Sequence, residues 1–260
     1  MAMIAMTQQE YIDRWKENAM QHFDDGDYEW ICNQIESYSF VLEVGCGSGE
    51  STLVLVLRGH RVLSIDINPD AINSTKNLIN NNDYAAEIIT DSFISDDNDA
   101  WLWSVDIVNS YKDIITVVKQ LPIDLILLCN PGGNLDPYIR LNEVELLLKY
   151  GFTHNEIDQR YRQGAFHLLH KYSMIDAASE IAIQCGLPLM VVDRGDKAQV
   201  EDILNQIIVD TKMTRIADEY RKIRKPPTGG ITLGDVDGNL SEQLYWGAGL
   251  FMPQICCHKQ

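Results

Sequence analysis

Residues 45–50 read Gly45-Cys46-Gly47-Ser48-Gly49-Glu50, directly after the apolar run Phe40-Val41-Leu42-Glu43-Val44. Glycine takes positive φ without penalty and carries no Cβ, so such a loop lets backbone N–H groups come close to a ligand. One carboxylate, Glu43, interrupts the apolar run, and a buried carboxylate is costly unless it has a partner. About twenty residues beyond the loop, Asp66 closes a second apolar run, Arg61–Ile67, where a carboxylate can accept from both hydroxyls of a ribose. Loop and acid at this distance point to a nucleotide-like ligand.

Two ligand classes carry such a ribose: dinucleotides and S-adenosylmethionine. The dinucleotide fingerprint G-x-G-x-x-G needs its third glycine to pack helix on strand while the helix N-terminus faces pyrophosphate. Here Glu50 stands at that third position. An anion at this helix end would meet Glu50 and Glu43, whereas a sulfonium with an ammonium group suits both carboxylates. The spacing favours the cationic ligand.

The elements that must hold these residues alternate. Residues 7–38 carry apolar and aromatic positions at helical spacing (Tyr11, Trp15, Met20, then Tyr28, Trp30, Ile31, Ile35), with a turn at 22–27 and Asp27 as its N-cap. Strands are expected at 40–44, 61–67, 86–90, 123–129 and 187–193, separated by helices at 48–60, 68–82, within 100–120, at 136–150 and at 166–186. A long helix is expected over 196–225, then a closing antiparallel pair, 229–235 with 244–252. Strict alternation implies a doubly wound, mostly parallel α/β sheet, seven-stranded with a C-terminal antiparallel pair. The expected organisation is an N-terminal helical cap, 1–38, on a ligand-binding domain, 39–260, with a helical embellishment near 196–225.

The run VLEVGCGSGE, with SIDIN after the second strand, resembles the first two motifs of class I (Rossmann-like) S-adenosylmethionine-dependent methyltransferases. The resemblance implies that Gly45, Cys46, Gly47 and Gly49 cradle the methionine part of the cofactor and that Glu43 orients its ammonium end. It implies that Asp66 takes the ribose and Ile67 flanks the adenine. TDSF resembles the third motif, so Asp91 would meet the adenine amino group and Ser92 or Phe93 its ring. S-adenosylhomocysteine would be the product.

Asn130-Pro131, after the fourth expected strand, resembles the first half of the Asn-Pro-Pro-aromatic motif of methyltransferases acting on planar amino groups. Gly132 and Gly133 replace the second proline and the aromatic, so the stacking half is absent. Asn130 is therefore a candidate both for the cofactor site and for orienting an acceptor. Methyl transfer further needs alignment and a way to lose a proton. Candidate bases are His154, His167, His170, Tyr161 and Tyr172; no metal site is expected, because His167-x-x-His170 lacks a third ligand at recognisable spacing.

Net charge is −17 and pI near 4.6, which disfavours a broad nucleic-acid or anionic-membrane surface. A small-molecule or peptide acceptor with an N or O nucleophile is expected, with a protein amide or RNA base as the alternative acceptor and a non-catalytic cofactor-binding module as the alternative class. The window 212–227 holds six basic residues and reads as a solvated helix face or a docking patch. Six cysteines without a CxxC pair fit free thiols in a reducing cytoplasm. Neither a signal peptide nor a membrane span is expected; a homodimer is compatible.

Overall fold

The computed structural model describes residues 8–89, 98–130, 153, 165–223 and 244–254; residues 8–12, 14, 15, 165–170 and 210 are described by their backbone alone. Two helices, α1 (Gln8–Asp24) and α2 (Asp27–Gln34), precede β1 (Phe40–Val44). Then follow α3 (Glu50–Leu57), β2 (Arg61–Asp66), α4 (Pro69–Asn80), β3 (Ala86–Ile88), β4 (Ala100–Ser104), α5 (Ile107–Val118) and β5 (Leu125–Cys129). The described chain resumes with α6 (Ala165–Cys185), β6 (Leu189–Gly195), α7 (Lys197–Asp210), β7 (Met213–Lys222) and β8 (Tyr245–Pro253).

The described strands form one sheet in the order β3-β4-β2-β1-β5-β6-β8-β7. All pairs are parallel except β6 with β8 and β8 with β7. Side chains alternate across the pleat. Phe40, Leu42 and Val44 of β1 enter a core shared with α5, α6 and α7, whereas Val41 enters one shared with α2, α3 and α4. Both faces of the central strands are thus covered, which is why LILLC in β5 can be apolar throughout. Among the described residues no helix is long and apolar enough to cross a membrane.

The order reverses between β1 and β5, so ligands are expected above the carboxyl ends of those two strands. Local chemistry aims the chain there. Gly45, Gly47 and Gly49 have φ of 83°, 55° and 101°, and Asn68 caps α4 by accepting from the Asp70 N–H at 2.9 Å, with Pro69 at the first helical position.

Several sequence expectations are corrected. The sheet has eight described strands, not seven, because Ala100–Ser104 is a strand that the sequence leaves unmarked; the helix expected within 100–120 is α5, Ile107–Val118. Trp101 and Leu102 are fully buried between β2 and the edge strand β3, a covered position that suits an aromatic side chain in a strand. The expected helix over 196–225 ends at Asp210, and 213–222 is strand β7. It is β7 that pairs with β8; 229–235 lies outside the described residues, as does the expected helix 136–150. The N-cap of α2 is Gly26, at φ 70°, and Asp27 is instead the buried first residue of the helix. The described part of the basic window, 212–223, is no helix face: Arg215 bonds Glu201, and Arg221 reaches the α1–α2 turn.

Candidate active site

Glu43 extends from β1 toward α3 and is fully buried. Its carboxylate accepts from Ser51 Oγ and Thr52 Oγ1 of α3, each at 2.5 Å, and from Ser64 Oγ of β2 at 2.6 Å. Ser64 is its register partner on β2, so the strand pairing places that donor. Burial pushes the Glu43 carboxyl above its usual range, against the pull of the three hydroxyls. Glu43 does not line the cleft above the sheet, but Ser51 does, and hands its influence on through one hydroxyl.

The three loop glycines differ in purpose. A Cβ on Gly45 would meet nothing within 4 Å, so open space lies before it; a Cβ on Gly49 would lie 2.8 Å from the Cα of Thr75. Gly45 thus leaves open space beside the loop, and Gly49 lets α4 pack on it. Cys46 is buried, its thiol pushed up by burial and accepting from Thr75 Oγ1 at 3.4 Å. Asp66 ties the loop to the end of β2, accepting from the Gly47 N–H at 3.0 Å and the Asn68 N–H at 2.9 Å. Ile67, next in the chain, is partly exposed.

A cleft opens over the ends of β1 and β5. Gly45, Cys46, Glu50 and Ser51 form one wall, Cys129 and Asn130 another. Asn130 takes φ 48°, a left-handed conformation that asparagine tolerates better than most side chains, and its N–H bonds Val192 O at 2.6 Å. Glu50 accepts from Ser48 Oγ, and burial pushes its carboxyl up too. The remaining walls come from α1, α2 and β8: Asn18, Ala19, His22, Tyr28 and Trp246. Open space before Gly45, Asp66 at the end of β2 and Glu50 beside the loop are compatible with the expected cationic sulfur nucleoside.

His22, unmarked in the sequence, is 3% exposed and held on both nitrogens. Nδ1 lies 2.8 Å from Asp27 Oδ2, and Arg194 Nη1 lies 2.8 Å from Nε2. A guanidinium can only donate, so Nε2 accepts and the proton sits on Nδ1, donated to Asp27. Burial opposes ionisation of Asp27, but His22 and Arg221 outweigh it and its pKa falls below the usual value. No sequence spacing joins His22 to Arg194; a fixed pair of helices over the sheet brings them together.

The other expected residues divide. Asp91, Ser92, Phe93, Pro131, Gly132, Gly133, His154 and Tyr161 lie outside the described residues. His167 and His170 fall on α6, and only their backbone is described. Tyr172 packs against the core on the face opposite α2 and α3, away from the cleft. The strand beside β2 is β4 rather than 86–88, so Ser104, Val105 and Asp106 are the residues that end next to Asp66; the Val105 N–H bonds Asp66 O at 2.8 Å.

Residues 42–118 match the family described as "Methyltransferase domain". No curated protein matches the chain. Among solved structures, magnesium protoporphyrin IX methyltransferase from Synechocystis, with bound SAM, is 11% identical at a TM-score of 0.45, covering 94% of this chain and 85% of that one. The N-methyltransferase NodS from Bradyrhizobium japonicum is 14% identical at a TM-score of 0.44, covering 89% and 97%. The family match spans β1, the glycine loop, Asp66 and the elements through α5. Over residues 42–118, which hold Glu43, the glycine loop and Asp66, the chain is thus similar to a methyltransferase domain.

Proposed function

We propose that this protein transfers a methyl group to a small polar acceptor presenting a nitrogen or oxygen nucleophile, free or as a single side chain of a peptide. Bound S-adenosylmethionine supplies a methyl group made electrophilic by its sulfonium. Gly45, Cys46 and Gly47 would carry the methionine part, with Ser51 transmitting the charge of Glu43 to its ammonium group. Asp66 would take the ribose hydroxyls and Ile67 flank the base. Asn130 would stand beside the reacting methyl and accept a hydrogen from the acceptor nucleophile.

One observation carries the reading: the cleft lies over the switch between β1 and β5, with Gly45 clear on one wall and Asn130 on the other. The acceptor would enter beneath α1 and α2, whose Asn18, Ala19, His22 and Tyr28 line the cleft. A net charge of −17 disfavours phosphate backbones.

Incubation with S-adenosylmethionine and a panel of small amines, amides, phenols and carboxylic acids tests the proposal. S-adenosylhomocysteine should form above the acceptor-free rate with at least one of them and fall at least tenfold in Asp66→Ala. Binding of the cofactor with no turnover on small acceptors, alongside turnover on RNA or intact protein, would contradict the small-acceptor reading.

A further inference from the structure

Arg194 follows the core of β6 with its side chain beside that of its register partner Trp246, which lines the cleft. Its guanidinium donates from Nη1 to His22 Nε2 at 2.8 Å and to Asn18 Oδ1 at 3.4 Å, and both partners also line the cleft. Neither partner is an anion. Among the described residues no carboxylate lies in ion-pair contact with this cation, whereas Lys171 pairs with Asp193 at 2.6 Å. Burial lowers the Arg194 pKa, offset in part by Tyr28, Asp193, Cys129 and Asp27. A partly buried guanidinium held only by an imidazole and an amide lacks the anion that such forks match best.

The sheet order says which ligand would bring that anion. Asp66 ends β2, the glycine loop leaves β1, Asn130 ends β5 and Arg194 lies at the end of β6, in sheet order. With strands about 5 Å apart, Arg194 stands roughly 10 Å beyond the loop, on the far side of Asn130 from the ribose position. That is the acceptor's side of the cleft. The charges of Asp193 and Asp27 already reach Arg194, so one negative charge suits the region better than a doubly charged phosphate.

Resting on the methyltransferase reading, we propose that Arg194 binds a carboxylate on the acceptor, and in turning to it uncovers His22 Nε2 toward the cleft. The freed lone pair accepts the proton that the acceptor N–H or O–H loses as its nucleophile bonds to the methyl carbon. The carbon–sulfur bond electrons stay on sulfur, leaving a neutral thioether, and Asp27 holds the imidazolium through Nδ1–H. Recognition of the acceptor and exposure of the base are one event.

The test titrates the full chain, saturated with S-adenosylhomocysteine, with matched probes: acetate, glycine and benzoate against acetamide, glycinamide and benzamide, with methyl phosphate as a further arm. The ring ¹⁵N signals of His22 are the readout. At least one carboxylate should move Nε2 saturably, bind tenfold or more tighter than its amide, and outcompete methyl phosphate. Arg194→Gln should remove the preference and Arg194→Lys retain part of it, with S-adenosylhomocysteine affinity held within twofold in both. Carboxylates that act no better than amides, or a preference that survives Arg194→Gln, overturns the proposal while leaving cofactor binding intact. Loss of S-adenosylhomocysteine affinity in a folded Arg194→Gln protein also overturns it, assigning Arg194 to the cofactor. Failure of the wild type to bind S-adenosylhomocysteine would strike the methyltransferase reading itself.

Discussion

Arg221, on the edge strand β7, donates from Nη1 to the carbonyl of Gly26 at 2.5 Å across 195 residues of chain. The same side chain reaches Asp25 O at 2.7 Å and Asp27 Oδ1 at 3.4 Å. It pins the α1–α2 turn, and Asp27 in turn holds His22 over the cleft. A basic residue near the end of the sequence thereby fixes the roof of a site built at its beginning.

Removing that strut should loosen the roof before the sheet. Arg221→Ala is expected to cost about 1.5–3 kcal/mol in denaturant unfolding, the range for hydrogen bonds to a charged group. Amide exchange should accelerate across 18–28 and stay unchanged in β1 and β5. Arg221→Lys should recover only part, because an ammonium cannot span three acceptors as a planar fork does. Uniform acceleration over the whole sheet would show that Arg221 does not act on the roof.

Glu43 makes a pH-dependent prediction. Burial raises its folded pKa above its ordinary value of 4.5, so between those two values the folded state binds more protons than the unfolded state. Stability contributed at this group therefore falls as pH rises through that window and stays lost above the folded pKa. Glu43→Gln carries no such titration. Its melting temperature relative to wild type should climb with pH across the window and then level off, while S-adenosylhomocysteine affinity drops at every pH. A difference independent of pH would mean that Glu43 is not held against its charge.

The loop glycines should separate stability from binding. Gly49→Ala forces a Cβ to 2.8 Å from the Thr75 backbone at φ 101°, and is expected to cost about 2–4 kcal/mol. Gly45→Ala meets nothing within 4 Å and suffers only from its φ of 83°, about 1–2 kcal/mol. In cofactor titrations the order should reverse among the folded proteins, with Gly45→Ala the weaker binder. Equal losses in both assays would contradict the division of labour.

Asn130 combines a left-handed backbone with a place on the cleft wall. Asn130→Gly relieves the first and deletes the second, so stability should stay within about 1 kcal/mol of wild type. Turnover to S-adenosylhomocysteine should fall on the order of a hundredfold with binding of that product within a few-fold. Full activity in Asn130→Gly would remove the side chain from the mechanism and leave only the turn.

The first half of the site was legible because its residues are neighbours in sequence. β1, the glycine loop and Asp66 lie within 27 residues, from Phe40 to Asp66, and glycines after an apolar strand have few other uses. β7 was illegible for a physical reason. As an edge strand with a bulge between Arg215 and Ala217, it loses the strict alternation of a half-buried strand, and its charges resemble a helix face. Ala100–Ser104 went unmarked for another reason: five residues with two tryptophans carry no period long enough to separate a strand from the helix expected beyond it. His22, Asp27 and Arg194 were invisible because a single sequence holds no signal for side chains that meet across some 170 residues. Asp27 was even read as a cap, the usual use of aspartate beside a helix start.

The most direct test is calorimetric titration of wild type and Asp66→Ala with S-adenosylmethionine, S-adenosylhomocysteine and NAD. Wild type should bind both sulfur nucleosides with micromolar affinity and NAD not at all, and Asp66→Ala should weaken the two at least tenfold. Binding of NAD in their place, or equal affinity of the variant for S-adenosylhomocysteine, would contradict the assignment of the glycine loop and Asp66 to this cofactor.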